Sequence, residues 1–213
     1  MNGTVTKNQL IFDFASGVLG PSKSLFASTY LFLNTKATEL NNTFENMLGD
    51  TLFDNENTPV SKLTYKDCIT KDAQISTKNQ KEVTHSPISR LVGPFDKIVW
   101  KQVYKGFSEF VPDLSHKDDD ELKLIKMDPG ASVPLHSHGG KEFILVLDGS
   151  FQDENGTYFK GDIQINDQKI KHTPMASKEH GCICLTITEK DVIFFGKFGS
   201  FLNLFTFVKS FFK

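Results

Sequence analysis

The 213-residue sequence contains only three cysteines and a single arginine. Cys68, Cys182 and Cys184 are odd in number and too few for a disulfide framework, so they fit a reducing compartment. With Arg90 alone, the chain almost lacks the planar guanidinium groups that proteins favour for recognising phosphates and bases. The net charge of −2 adds no basic surface. The composition therefore argues against direct binding of nucleic acid or of an anionic membrane.

A secretion signal and a long hydrophobic run are also missing. The first residues, MNGTVTKNQLIFDFASG, have no basic segment followed by an apolar core and a small-residue cleavage site, which predicts a cytoplasmic protein. Near the end of the chain, Lys197 and Lys209 bracket only 11 uncharged residues, whereas about 20 are needed to span a bilayer. We expect a buried strand and an amphipathic C-terminal helix there, with interfacial membrane contact as the alternative.

The apolar residues between positions 8 and 48 recur at helical spacing and predict a small bundle of three helices. We expect the first helix to end near Gly17, Ser22 to cap the second, and Gly49 to close the third. The polar stretch that follows, 50–84, is typical of a linker. We place the domain boundary near residue 85, which gives a helical segment over 1–84 and a second domain over 85–213.

Beyond residue 85 the pattern changes to short alternating segments separated by Gly and Asn turns. ELKLIKM, KEFILVLDG, DIQI and CICLTIT have the pattern of β-strands, and Asn155–Gly156 is typical of a tight hairpin turn. Many short strands with no helical pattern between them predict an antiparallel barrel or a double-sheet sandwich. The predicted fold class is therefore α+β.

The segment GASVPLHSHGGKEFILVLDG, 130–149, contains the strongest chemical signal. His136 and His138 are two residues apart, so on a strand both side chains point to one face, and Glu142 joins them if the backbone stays extended. Two imidazoles and a carboxylate suit a divalent metal that takes a further ligand from elsewhere. For one isolated histidine a solvent-facing edge strand would be the better explanation, but the spacing of this set favours a metal.

The spacing of this segment matches the first motif of the cupin superfamily without a deviation. The motif residues are Gly130, His136, His138, Glu142 and Gly149. The interval from Gly161 to His172 matches the second cupin motif. Three residues depart from that motif, at the positions of its usual proline, inner glycine and asparagine: Asp167, Lys169 and Ala176.

The cupin resemblance implies a double-stranded β-helix that holds one divalent metal between three histidines and a glutamate. The implied ligands are His136, His138, Glu142 and His172. Zn²⁺ is the first expectation, and Mn²⁺, Fe²⁺ and Ni²⁺ are the alternatives. We assign no catalytic residue and no further cofactor site, because nothing singles out the candidate interior polar groups Glu109, Lys126, Tyr158 and Gln164.

Cys182 and Cys184 alternate along a predicted strand and therefore share a face. We expect them to be small buried residues of the core, with a redox-sensitive position near the metal as the alternative. Their spacing along one strand does not favour a mutual disulfide.

The segment LIFDFASGVLGPSKSLFASTYLFLNTKATEL, together with SPISR, KHTPMAS and CICL further on, resembles the ChrR-like anti-sigma factors, in which a helical bundle precedes a cupin domain. The resemblance implies that the helical segment binds an alternative (ECF-type) sigma factor of RNA polymerase and holds it away from the polymerase. It also implies that the cupin domain responds to oxidative stress. The implied partner is a protein, and any effect on DNA is indirect.

One departure from this family concerns its structural zinc. Tyr30 stands where the family has a zinc-binding histidine, and Asn34 and Ala37 stand where it has a Cys-x-x-Cys pair. We therefore expect no metal in the N-terminal domain, which must be held together by its apolar face.

Two other functions compete with the anti-sigma interpretation. The first is a metal-dependent cupin enzyme of the dioxygenase or isomerase type. The second is a non-catalytic metal-binding or ligand-binding module that oligomerises through its barrel edges. The sequence leaves the oligomeric state open.

Overall fold

A computed structural model of the chain describes residues 6–53, 85–116 and 120–196. The predicted linker with Cys68 and the predicted C-terminal helix lie outside the described residues. Within them, three helices precede a fourth, shorter one and a set of antiparallel strands, which confirms the α+β class. The helices are α1 (Lys7–Ala15), α2 (Pro21–Leu33), α3 (Thr35–Phe53) and α4 (Pro87–Val92).

Two of the predicted helix ends are wrong. Gly20 occupies the N-cap position of α2 and Pro21 its first turn, so Ser22 lies inside the helix, where it is fully buried. Helix α3 continues past Gly49 to Phe53, since one glycine costs a helix only about 1 kcal/mol. None of the helices in the described ranges combines the length and apolar character that crossing a bilayer requires.

Ten strands follow in the part of the chain that the structure describes, and all their pairings are antiparallel. They are β1 (Lys101–Tyr104), β2 (Phe107–Phe110), β3 (Glu121–Met127), β4 (His136–His138), β5 (Glu142–Asp153), β6 (Gly156–Phe159), β7 (Ile163–Asn166), β8 (Met175–Ala176), β9 (Cys182–Thr188) and β10 (Val192–Phe194). The larger sheet has the order β1-β2-β3-β9-β5-β6, with β7 and β8 also paired to β5, and β10 pairs with β4 in a second sheet. The predicted hairpin joins β5 to β6, but its turn residues are Glu154 and Asn155.

A bulge in β5 changes which of its residues face the barrel interior. The pairing of β5 with β9 shifts register between Val146 and Asp148. Before the bulge Glu142 faces the interior, and beyond it the odd-numbered Phe151 does so. Such an extra residue reverses the alternation of side chains along a strand.

The helical segment packs on the outer face of the larger sheet. The rings of Phe26 on α2 and Phe143 on β5 meet edge to face with centroids 6.0 Å apart, and both are nearly fully buried. Helix and sheet residues thereby form one continuous apolar cluster, while a smaller cluster that includes Ile144, Val146 and Phe151 lies inside the barrel. The domain boundary near residue 85 stays a prediction.

Gly149, a residue of the first cupin motif, has a backbone conformation that excludes a side chain. Its φ is +68°, and an added Cβ would lie 2.2 Å from the Gly181 carbonyl oxygen. We expect Gly149→Ala to lower the free energy of unfolding by about 2 kcal/mol or more. The matched change Gly49→Ala, with open space around a helical residue, should raise it by about 0.5–1 kcal/mol. Urea unfolding checks both, and equal midpoints would contradict the expectation.

Candidate metal centre

Two sheets bring the four predicted ligands together. His136 and His138 lie on β4, which pairs with β10, whereas Glu142 begins β5 in the larger sheet. The backbone turns between them, so the ligands converge because the two sheets face each other and not because one strand stays extended. His172 joins through an antiparallel bridge to His136, with two N–H···O bonds of 3.1 Å.

The four side chains form a compact, buried cluster. Each is between 0% and 5% exposed, and one ligand atom from each lies within 4.8 Å of all the others. The Glu142 Oε2 atom is 3.0 Å from His138 Nε2 and 3.4 Å from His172 Nε2. A divalent ion with ligand bonds of about 2.0–2.2 Å separates its ligand atoms by roughly 3–4 Å. The cluster therefore has the dimensions of a mononuclear metal site.

The hydrogen bonds of His136 and His172 leave both Nε2 atoms as electron-pair donors. His136 Nδ1 donates to the Pro134 carbonyl oxygen at 2.8 Å, and His172 Nδ1 donates to Asp153 Oδ2 at 2.9 Å. The two Nε2 atoms then face each other at 3.0 Å. With both rings neutral, two imidazole lone pairs at this distance repel, and a metal cation between them, or a proton on His172, removes that repulsion.

His138 and Glu142 complete the set. The Nε2 atom of His138 lies close to the Glu142 carboxylate, yet neither of its ring nitrogens has a hydrogen-bond partner with acceptable geometry among the described residues. A buried polar atom without such a partner costs free energy. Coordination of a metal would satisfy the Nε2 atom, so the arrangement fits a bound ion.

The charge states of the cluster also suit a cation. Burial lowers the pKa of His136 to about 4, so its imidazole is neutral near pH 7. Burial opposes ionisation of Glu142, but the contacts with His138 and His172 outweigh it and hold the pKa of this carboxyl below its usual range. Glu142 and His136 are thus already in their metal-binding forms. Burial lowers the pKa of His172, but the contacts with Glu142 and Asp153 outweigh it and raise the pKa, so a bound ion displaces a proton from this ring.

Further side chains orient the four residues, and the sequence did not single them out. Asn166 Nδ2 donates to Glu142 Oε2 at 3.0 Å. Asp153 accepts from both His172 Nδ1 and Gln164 Nε2, the latter at 2.7 Å. The bulge in β5 lies between Glu142 and Asp153. Counting alternate residues from Glu142 therefore assigns Asp153 to the wrong face of the strand.

Asp153→Ala removes the acceptor that fixes the ring of His172. We expect this change to weaken metal binding about 10- to 100-fold, because such partners set the tautomer and orientation of a ligating histidine. Competition for zinc with a chromophoric chelator measures the effect. The control Asp148→Ala alters an exposed carboxylate on the same strand and should leave affinity unchanged. Unchanged affinity in Asp153→Ala would contradict the assigned role.

A cavity of about 400 Å³ opens above the ligands inside the barrel. Its wall is mostly apolar and includes Tyr104, Phe107, Ile125, Met127, Ile144, Phe151, Val192 and Phe194. Charged residues occupy one part of it, where Lys123 Nζ lies 3.5 Å from Glu109 Oε2 and 2.9 Å from Glu121 Oε2. The space next to the ligands can therefore accept a small molecule with a mainly apolar body.

Of the four candidate interior polar groups, one lines the cavity and three lie outside it. Glu109 lines the cavity. Tyr158 and Gln164 lie behind the ligand cluster, where the Tyr158 hydroxyl is 3.2 Å from Gln164 Nε2. The Lys126 ammonium lies 6.0 Å from the centre of the Trp100 ring.

Cys182 and Cys184 are both buried and both face the barrel interior. Their Sγ atoms are 3.3 Å apart, and Cys184 lines the cavity. The predicted burial is confirmed. The contact with Cys182 and burial raise the pKa of the Cys184 thiol well above its usual value. This thiol is therefore protonated near pH 7 and a weak nucleophile in the resting protein.

The remaining histidines that the structure describes lie away from the cluster. The side chain of His180 is 76% exposed in a turn, and His85 is exposed at the start of the second segment. The side chain of His116 falls outside the described positions.

The double-sheet barrel and its buried His-His-Glu-His cluster define a cupin-like domain. Residues 89–190 match the sequence model of the ChrR cupin-like domain, and the chain therefore contains a ChrR-like cupin domain. Over 202 residues it is 29% identical to the anti-sigma-E factor ChrR of Cereibacter sphaeroides, and the match covers 91% of each chain.

A solved structure extends the likeness beyond the barrel. The chain is similar to ChrR in the crystal structure of Rhodobacter sphaeroides SigE in complex with the anti-sigma ChrR, with 26% identity and a TM-score of 0.68. The match covers 88% of this chain and 98% of that chain. Because the cupin-like domain accounts for about half of the residues, the similarity includes the helical segment.

Proposed function

We propose that this protein is an anti-sigma factor whose helical segment, within residues 1–84, sequesters an alternative ECF-type sigma factor, and whose cupin domain, within 85–213, responds to oxidative stress. The observation that carries the proposal is the structural likeness to ChrR, a protein solved in complex with SigE, across both segments. The partner is a protein and the effect on transcription is indirect, in keeping with a net charge of −2. A cytoplasmic location belongs to the same proposal.

The helical segment keeps an ordered junction without the family's zinc ligands. The Asn34 Oδ1 atom accepts a hydrogen bond from the Ala37 backbone at 3.1 Å, and Thr38 Oγ1 donates to the Leu31 carbonyl oxygen. Tyr30 is buried, with its side chain in the apolar cluster. Hydrogen bonds and apolar packing thus fix α2 against α3 at their junction, which is the role of the structural metal in a zinc site.

For the cupin domain we infer one zinc ion held by His136, His138, Glu142 and His172. Three nitrogens and one oxygen in a cluster of this size suit Zn²⁺, although Mn²⁺, Fe²⁺ and Ni²⁺ accept the same donors. When bound, the ion supplies a fixed positive charge and an electrophilic centre at the base of the cavity. Elemental analysis of protein purified without chelators identifies the metal, and an equimolar content of zinc is the expected result.

We infer that the oxidative response begins in the barrel interior. Of the cysteines that the structure describes, both lie there, with Cys184 at the cavity wall and the ligand cluster at its base. An oxidant that enters the cavity therefore meets thiols and metal ligands together. The raised pKa of Cys184 keeps this thiol unreactive in the absence of a signal.

A metal-dependent cupin enzyme is the second candidate, and the cavity beside the ligands is the observation that favours it. In that case a small, mainly apolar substrate would occupy the cavity beside the ligands. Turnover that is lost in both His136→Ala and His172→Ala would support the enzyme. An anti-sigma factor converts no substrate, so no turnover is expected under the first proposal.

The decisive experiment for the anti-sigma proposal measures transcription. First, the full chain is immobilised and exposed to a native lysate, and mass spectrometry identifies the sigma factor that it retains. The purified chain is then titrated into transcription by RNA polymerase with that sigma factor, with the housekeeping sigma factor as control. We expect loss of transcription at a one-to-one ratio in the first reaction only. Transcription that persists at excess chain would contradict the proposal.

A further inference from the structure

The turn between the second and third metal ligands packs tightly against one short segment of the barrel. An added Cβ at Gly140 would lie 3.0 Å from the Cβ atom of Glu189, and one at Gly139 would lie 3.2 Å from that of Lys190. Both separations are tighter than ordinary van der Waals contact, so a side chain on the turn would have to displace residues 189–190. The path from His138 to Glu142 is therefore shaped by contact with residues 189–190.

Glu189 also holds this turn by hydrogen bonds on both sides of Lys141, the residue before Glu142. Its Oε2 atom accepts from the Lys141 N–H at 3.2 Å, and its own N–H donates to the Lys141 carbonyl oxygen at 3.0 Å. The Glu189 carboxylate can thus fix the backbone that leads into a metal ligand. Its second oxygen is available for another partner.

That partner comes from the helical segment. Lys23 on α2 places its Nζ atom 2.9 Å from Glu189 Oε1 and 3.1 Å from Asp120 Oδ2. The three side chains are only 16–27% exposed, so water screens this cluster less than an open surface pair. The Lys23 ammonium is also 5.7 Å from the ring centre of Phe143, the residue after Glu142.

We propose that Lys23 is a positioning residue for the metal centre, which links the packing of α2 on the barrel to metal affinity through Glu189. Lys23 contacts Phe143 on one side of Glu142 and, through Glu189, Lys141 on the other. Loss of the metal would loosen this turn and weaken the hold on α2, and displacement of α2 would weaken metal binding by the same factor. This linkage requires a metal ion bound at the four residues. Its use in regulation rests on the proposed anti-sigma function.

Zinc release from the full chain tests the linkage. Lys23→Met keeps the aliphatic stem and removes the charge, so we expect zinc to pass to a chromophoric chelator about 3- to 10-fold faster than from the wild type. Lys36→Met removes an exposed charge from α3 and should leave the rate unchanged. Lys23→Arg keeps the charge and should restore most of the wild-type rate, which a loss of general stability would not explain.

Glu189→Gln provides a second, independent variant. Its amide oxygen still accepts from the Lys141 N–H, but the charge that attracts Lys23 is gone, so zinc release should accelerate by a similar factor. The double variant Lys23→Met/Glu189→Gln should be no faster than the faster single variant, because both changes break the same link. Additive effects would overturn the proposal.

Hydrogen exchange tests the opposite direction. In the wild type, removal of zinc should raise amide exchange in α2, and in Lys23→Met exchange should already be raised and should respond less to zinc. Zinc release and α2 exchange that match the wild type in Lys23→Met would overturn the linkage while leaving the metal centre intact. A wild-type chain that binds no zinc would contradict the centre itself, and with it this inference.

Discussion

His172→Ala is expected to lower zinc affinity at least about 100-fold. The change removes one of four ligand atoms and leaves Asp153, its 2.9 Å partner, as a buried carboxylate without its histidine. Loss of an orienting group alone costs about 10- to 100-fold, and loss of the ligand itself must exceed that. Equilibrium competition with a chelator of known affinity, together with metal content after dialysis, provides the measurement.

His180→Ala is the matched control for this prediction, because it removes a histidine that is exposed in a turn. It should retain one equivalent of zinc with wild-type affinity. Full retention of metal in His172→Ala would contradict the four-ligand site. The bridge between the His172 and His136 backbones does not depend on the side chain, so the alanine variant should still form the barrel.

Phe26→Ala is expected to lower the free energy of unfolding by about 3–5 kcal/mol. Phe26 is fully buried and packs against Phe143 at the contact between the helical segment and the barrel. Deletion of the ring leaves a cavity in a cluster that both segments share. Urea unfolding monitored by circular dichroism measures the loss from the midpoint and slope of the transition.

Phe159→Ala provides the control for this change, because Phe159 is 57% exposed and exposed substitutions alter stability by only about 0.5 kcal/mol. Since helices and sheet share one apolar cluster, the wild type should unfold in a single transition. A Phe26→Ala variant as stable as the control would contradict the shared core. Two separate transitions in the wild type would contradict it as well.

The convergence of His136, His138 and Glu142 could be predicted from the sequence because its signal is local. His136, His138 and Glu142 lie within seven residues, and the flanking glycine Gly149 is required where a side chain would collide with the Gly181 backbone. A fixed spacing of this kind specifies both the residues that can bind a metal and the turns that bring them close to one another. The alternation of apolar residues in the same region likewise predicts the antiparallel strands of the barrel.

The parts that sequence reasoning missed depend on contacts between distant residues or on a break in the alternation. Asp153 faces His172 because of the bulge in β5, which alternate counting cannot include. Lys23 and Glu189 are 166 residues apart, and no periodicity relates them. The wrong helix ends at Ser22 and Gly49 have a different cause, since tertiary packing overrides weak local preferences.

Native mass spectrometry of the full chain, purified from its own cells without chelators, tests the anti-sigma function and the metal centre together. We expect a complex in which one 23.9 kDa chain carries one divalent metal ion and one alternative sigma factor. Collisional dissociation should release the sigma factor and leave the ion on the chain. A chain that carries the ion but never a sigma factor would contradict the anti-sigma function and favour a cupin enzyme.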